Sequence, residues 1–224
     1  MEPDFWHERW ETSRIGFHLD VVNPWLVHHW PALCVNSDNR VFVPMCGKSL
    51  DMLWLLEQGY RVTGVEISRI AVEAFFSENR LEPLIETTGR FTRWRYEELE
   101  VLCGDFFDLD KADLGHLDAV YDRAALIAMP PVMRPRYAAH LDTLTNRQTR
   151  ALLIALNYNQ LEMAGPPFSV SADEVNRLFS KNYVIECLAS TDVLEKNAKF
   201  RDSGLTLLRE EIYCLTRRED KSRS

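Results

Sequence analysis

Val41-Phe42-Val43-Pro44-Met45-Cys46-Gly47-Lys48-Ser49 and, shortly after it, Arg61-Val62-Thr63-Gly64-Val65-Glu66-Ile67-Ser68 decide the fold. Each begins as a short continuous apolar run, the pattern of a strand buried on both faces. Between them, residues 49–58 carry Leu50, Leu53, Trp54 and Glu57 at helical spacing, and Gly59 stops that helix as a C-cap. Ser68 caps a second helix with Ile70, Ala71, Ala74 and Phe75 on one face. A strand–helix–strand–helix unit of this kind belongs to a parallel sheet with helices on both sides.

The pattern continues outward. Further strands are expected at 99–103, 117–121, 150–156, 183–188 and 207–215, with helices at 131–144 and 172–179, and residues 90–97 read as an added strand near an edge. Toward the N-terminus, Phe5, Trp6, Arg9 and Trp10 recur at helical spacing. Asn23-Pro24 reads as an N-cap followed by proline in the first turn, starting a short helix through Trp30. Ile15-Gly16-Phe17-His18 forms the loop between them. The expected fold class is α/β: a doubly wound, mostly parallel sheet with a small N-terminal helical cover. The whole chain, 1–224, reads as a single domain, with the cover at 1–39 over the active site, the α/β core at 40–216 and a charged tail at 217–224.

With 224 residues, 46% of them hydrophobic, the chain can bury one sizeable core. Its net charge of −8 argues against sequence-independent nucleic-acid binding, which works by neutralising phosphates with Lys and Arg. The dense basic stretches, around Arg90, Arg93 and Arg95 and from Arg217 onward, read as a solvated strand face and a charged terminus. Five scattered cysteines include no Cys-x-x-Cys pair, so neither a zinc site nor a disulfide framework is expected. The N-terminus lacks the basic flank and apolar stretch of a signal peptide, and no apolar run approaches membrane-spanning length. A cytoplasmic monomer, with no nucleic-acid, membrane or metal partner, is the expectation.

Ligands of open α/β sheets sit beyond the carboxyl ends of the strands, so residues ending strands carry the functional information. Gly47 lets the backbone approach a ligand closely, although a plain tight turn accounts for a lone glycine equally well. The dinucleotide fingerprint needs two further glycines, where this chain has Ser49 and Met52. Asp51 adds a negative charge in the first helical turn, a poor neighbour for a pyrophosphate. Glu66 ends the second strand nineteen positions after Gly47, the spacing at which a carboxylate accepts both hydroxyls of an adenosine ribose. In Gly104-Asp105-Phe106-Phe107-Asp108, an acid beside aromatic rings suits an adenine; a turn aspartate next to buried phenylalanines is the competing reading. Arg123, in Tyr121-Asp122-Arg123, suits a carboxylate of the cofactor or an anionic substrate, unless it pairs with Asp122.

Together, Val43-Pro44-Met45-Cys46-Gly47-Lys48-Ser49, Gly64-Val65-Glu66-Ile67-Ser68, Tyr121-Asp122-Arg123-Ala124-Ala125-Leu126 and Gly165-Pro166-Pro167-Phe168 resemble the thiopurine S-methyltransferase family, especially its bacterial form. The resemblance runs from Phe5-Trp6 through Tyr213. It implies a Rossmann-like class I methyltransferase with a seven-stranded sheet and S-adenosyl-L-methionine as cofactor. By position it puts cofactor contacts on Trp10, Met45, Glu66, Asp105, Phe106 and Arg123, and an acceptor contact on Phe17; Arg123 is also expected, from its charge, to stabilise an anionic acceptor. Lys199 and Arg201 lie where the family can place a basic residue by the substrate, and neither is assigned.

The implied reaction is in-line methyl transfer to the thiolate of a thiopurine or another aromatic or heterocyclic thiol, and selenium and tellurium compounds fit the same soft-acceptor logic. No residue stands out as a dedicated general base. Two alternatives stay open: a non-catalytic module binding S-adenosylmethionine or adenosine, and an NAD-dependent oxidoreductase, which the missing glycines disfavour.

Overall fold

In the computed structural model, which describes residues 3–12, 14, 15 and 18–218, nine strands form one sheet. In chain order they are β1 (Arg40–Pro44), β2 (Arg61–Glu66), β3 (Leu84–Thr88), β4 (Phe91–Tyr96), β5 (Leu99–Cys103), β6 (Ala119–Arg123), β7 (Arg150–Asn157), β8 (Tyr183–Asp192) and β9 (Arg209–Arg217). The spatial order is β3-β4-β5-β2-β1-β6-β7-β9-β8. Strands β5, β2, β1, β6 and β7 are mutually parallel, and β4, β9 and β8 join antiparallel.

The seven-strand expectation is corrected by the hairpin β3–β4. Strand β4 was expected near an edge from its sequence. Strand β3 was not, because all five of its residues are exposed and none supplies a burial signal. It exists through its antiparallel ladder with β4, from Leu84 opposite Arg95 to Thr88 opposite Phe91. The inner seven strands, β5-β2-β1-β6-β7-β9-β8, are the doubly wound sheet.

The helices are α1 (Pro3–Glu11), α2 (Pro24–His29), α3 (Asp51–Glu57), α4 (Arg69–Glu78), α5 (Lys111–Leu114), α6 (Ala125–Ala128), α7 (Arg134–Leu144), α8 (Ala172–Phe179) and α9 (Ala198–Asp202). Side chains alternate across β1: Val41 and Val43 enter one apolar cluster with α3 and α4, whereas Phe42 enters a second with α7 and α8. Both faces of the sheet are therefore covered. Ser68 accepts the Ala71 N–H at 3.4 Å and starts α4 as its sequence predicts. Gln58, not Gly59, is the C-cap of α3; Gly59 follows it at φ +88°.

The N-terminal segment does two things. Leu26, Trp30 and Leu33, from α2 and the turn after it, are buried in the core beside β1. Helix α1 instead brings Trp6 and Trp10 to the carboxyl end of the sheet. An internal anchor joins this segment to the sheet. Buried Asp51 accepts the Asn23 N–H at 2.7 Å and the Tyr121 hydroxyl at 2.9 Å.

Candidate active site

Chain order runs from β1 outward to β2 and β5, then returns to β6 on the other side. The crevice between β1 and β6 is therefore the switch point at which such sheets bind ligands. A cavity of about 510 Å³ opens there, and Trp10, Met45, Glu66, Asp105, Phe106 and Arg123 all line it. Phe17 lies outside the described residues. Lys199 and Arg201 belong to α9 and do not line the cavity; Arg201 faces Glu195 instead, at 3.7 Å.

The floor is backbone. Met45 (φ +48°) and Gly47 (φ +53°) both take left-handed conformations, which turn the chain sharply off the end of β1. For Met45 this is costly and persists only because the surroundings impose it. Gly47 avoids the cost, and its missing side chain also makes room for Trp10, whose ring lies 3.2 Å from where a Cβ would stand. The turn and α1 are fitted to each other.

Glu66 is buried at the end of β2, and each of its carboxylate oxygens takes one backbone donor. The Gly47 N–H donates to Oε2 at 2.9 Å and the Ser68 N–H to Oε1 at 2.8 Å. A carboxylate oxygen has two lone-pair directions, so each keeps one for a ligand hydroxyl. Burial raises its pKa to about 7, against the opposing pull of these N–H donors.

Asp105 caps a short 3₁₀ turn by accepting the Phe107 N–H at 2.9 Å. The Phe106 ring is packed among Phe42, Phe107, Tyr137 and His140 and is 3% exposed, so it contributes mostly wall rather than a free face. Phe107, which the sequence reading did not single out, also lines the cavity, and the Arg136 guanidinium sits 4.0 Å from its ring centre.

Asp122 and Arg123 point to opposite faces of β6, which rules out the pairing considered from sequence. Asp122 is buried, accepting the Tyr137 hydroxyl at 2.7 Å and the Leu126 N–H at 3.2 Å, and burial raises its pKa to about 6. Arg123 faces the cavity, and no carboxylate among the described residues pairs with it. The next residue, Ala124, stands at φ +75°, so the backbone turns away directly behind the guanidinium. Arg136 is likewise without a carboxylate partner among the described residues.

On the far wall are Ile127, Met129, Met133, Pro166 and Pro167. The Phe168 N–H donates to Ile127 O at 2.7 Å and thereby holds the Gly165-Pro166-Pro167 loop against α6. The buried Arg134 donates to Met129 O at 3.0 Å and pairs with Glu174 of α8. The wall is apolar and polarisable, with two thioethers. Sequence reasoning missed Met129, Met133, Arg136 and His18 because each sits in a segment whose spacing signals only helix or loop.

The site divides along the strand order. Acids that suit a nucleoside, Asp105 and Glu66, stand at β5 and β2; the cationic Arg123 and the apolar wall stand at and beyond β6. Asp51, at the start of α3, is buried and tied to Tyr121, which leaves a carboxylate where a pyrophosphate would need positive potential. The residues present fit a phosphate-free nucleoside carrying an amino-acid tail, with Glu66 toward the ribose and the cradle of Met45, Gly47 and Trp10 beside it.

Comparison with known proteins places the chain among methyltransferases. A sequence model of the thiopurine S-methyltransferase family matches residues 1–218. Proteins named thiopurine S-methyltransferase align with almost the whole chain. That of Pseudomonas fluorescens (strain SBW25) is 51% identical over 97% of this chain and 100% of its own length. That of Azotobacter vinelandii is 48% identical over the same shares. Among solved structures, a SAM-dependent methyltransferase from Anabaena variabilis superposes with a TM-score of 0.64 at 15% identity, covering 96% of this chain and 95% of that one. The 1,6-didemethyltoxoflavin-N1-methyltransferase of Burkholderia thailandensis, solved with S-adenosylhomocysteine, gives a TM-score of 0.63 at 16% identity, covering 97% and 87%. These two share the fold.

Proposed function

The chain belongs to the thiopurine S-methyltransferase family and is an S-adenosylmethionine-dependent S-methyltransferase, and from that premise we propose how its cavity performs the transfer. The sulfonium of the cofactor supplies an already activated methyl group, so the protein's task is orientation and exclusion of water.

Glu66 accepts the two ribose hydroxyls with the lone pairs that Gly47 and Ser68 leave free. Asp105 takes the adenine amino group, with Phe106 and Phe107 forming the wall beside the base. Trp10 and Met45 close the cradle over Gly47. With Glu66 and Asp105 holding the nucleoside, Arg123 and the apolar wall at β6 would be left for the amino-acid tail and the acceptor. Arg123 holds an anion there, either the cofactor carboxylate or the acceptor's delocalised negative charge, and Phe17 closes the acceptor side.

The acceptor class follows from the wall. Ile127, Met129, Met133, Pro166 and Pro167 offer an apolar, polarisable surface suited to a flat heteroaromatic ring, and the unpaired guanidiniums suit a thiolate. Heteroaromatic and aromatic thiols ionise readily, so the thiolate enters already formed and no base is required for them. Selenols and tellurium compounds, also soft and polarisable, belong to the same class of acceptors. The single observation that carries the reading is the Glu66 carboxylate, anchored by two backbone donors, in the cavity that Arg123 enters with no carboxylate partner among the described residues.

The working form is a cytoplasmic monomer acting on small molecules, with neither nucleic acid nor membrane as partner. In support, the net charge is −8 and, among the described residues, no helix is long and apolar enough to cross a membrane.

A panel of thiopurine, thiophenol and selenol acceptors, scored by mass spectrometry for transfer of a deuterated methyl group, tests this. The expected result is methylated sulfur or selenium with aromatic thiols turned over best. Cofactor binding without transfer to any of them would instead identify a sensor.

A further inference from the structure

Several titratable side chains around the cavity are held by neighbouring groups. The two oxygens of Glu66 are held by Gly47 and Ser68, and an Asp105 oxygen by Phe107. Tyr121 donates to Asp51, and Cys46 is buried, with its thiol pKa pushed well up by burial. Lys48 is paired with Glu78 at 2.7 Å. Arg123 and Arg136 have no proton to exchange near neutrality.

A further titratable group of the cavity is His18. It lines the same cavity with its side chain 13% exposed, and its Nε2 lies 3.4 Å from Asp20 Oδ1. Asp105 and Glu66 stand at β5 and β2, whereas the charges that act on His18 come from Lys48 after β1 and Arg123 at the end of β6, with Asp20 on its own loop and Glu78 at the end of α4. His18 thus lines the same cavity as Arg123 and the apolar residues Met129 and Met133.

We infer that His18 is a catalytic base that extends the reaction to thiols not ionised at neutral pH. The inference rests on the methyltransferase reading above and adds a residue and a second acceptor class to it, alkyl thiols. A neutral imidazole carries one nitrogen lone pair, and that nitrogen is the proton acceptor. The acceptor's S–H proton passes to the unprotonated ring nitrogen of His18 as its sulfur electron pair forms the new S–C bond. The carbon–sulfonium bond breaks with its electrons remaining on the cofactor sulfur, and the imidazolium then returns the proton to water beside the exposed Asp20. Burial and the cations Lys48 and Arg123 lower the His18 pKa, so the ring is neutral and ready to accept at physiological pH.

The test compares two acceptors in the full-length enzyme. One is 2-mercaptoethanol, an alkyl thiol un-ionised near neutrality, as is free cysteine, whose pKa is about 8.5. The other is 2-nitro-5-thiobenzoate, ionised across the neutral range. His18→Gln is expected to shift the kcat/KM ratio of the two thiols by about 100-fold in favour of the ionised one. Wild-type kcat/KM for 2-mercaptoethanol should rise with pH through the His18 pKa. An NMR titration of the His18 ring, independent of turnover, should find that pKa below the value of a free histidine. An unchanged ratio, or a His18 ring that stays protonated at neutral pH, would overturn the assignment while leaving the methyltransferase reading intact. A wild-type enzyme inert toward both thiols would overturn the two together.

Discussion

Glu66 Oε2 accepts the Gly47 N–H at 2.9 Å, so the turn that ends β1 and the acid that ends β2 are one hydrogen-bonded unit. Parallel pairing of the strands, with Pro44 opposite Val65, brings them to the same level. A further bond, from the Cys46 N–H to Val65 O at 3.0 Å, locks the turn to β2. The ribose acid is therefore positioned by the backbone of its neighbouring strand before any ligand arrives.

Gly47→Ala strains this unit in two ways, through the left-handed φ and through contact with the Trp10 ring. A left-handed L-residue costs roughly 1–2 kcal/mol. Calorimetry with S-adenosylhomocysteine should show about a 5- to 30-fold weaker Kd, with the fold retained by circular dichroism.

The raised pKa of Glu66, about 7 against an ordinary 4.5, gives a defined pH dependence. Between those values the folded protein keeps a proton that the unfolded chain has lost, so the contribution of Glu66 to apo stability falls as pH rises through the window. Ribose hydroxyls donate to the ionised form, so ligand binding expels that proton. Affinity for S-adenosylhomocysteine should rise with pH up to about 7 and then level off. Titrations at pH 6 in buffers of differing ionisation enthalpy should register proton release, and Glu66→Gln should remove it.

Tyr121→Phe removes one of the two donors that satisfy buried Asp51 and so loosens the tie between the N-terminal segment and the sheet. The expected loss is about 1–3 kcal/mol of stability, the cost of an unsatisfied buried group, read as a lower Tm.

How far the sequence carries depends on burial. The runs at Val41 and Val62 and the helical spacing after Ser68 are legible because both faces of the sheet are buried and the apolar residues mark them. Glu66 was legible for a related reason: a charged residue that closes an apolar run is a strand end, where ligands bind. Strand β3 was not, since a wholly exposed ladder leaves no apolar pattern. Strand β8 runs to Asp192, beyond the expected 188, past an irregularity between Cys187 and Ala189 that breaks the alternation. Asp122 and Arg123 could not be assigned to opposite faces until the strand was known to end at Arg123. The wall formed by Met129, Met133 and Arg136 depends on where the α6–α7 connection folds, which no local spacing records.

Arg123→Gln deletes the cation at the end of β6, which lines the cavity with no carboxylate partner among the described residues. A charge-assisted hydrogen bond contributes about 1.5–3 kcal/mol, so kcat/KM for an aromatic thiol should fall roughly 10- to 150-fold. Arg123→Lys should recover only part of it, because a point charge replaces a planar fork.

The most direct test of the central claim is methyl transfer from S-adenosylmethionine to 6-mercaptopurine, followed by mass spectrometry in the wild type and in Glu66→Ala. The account predicts S-methylated product from the wild type and its loss in the variant, together with loss of S-adenosylhomocysteine binding. Undiminished turnover and binding in Glu66→Ala would contradict it.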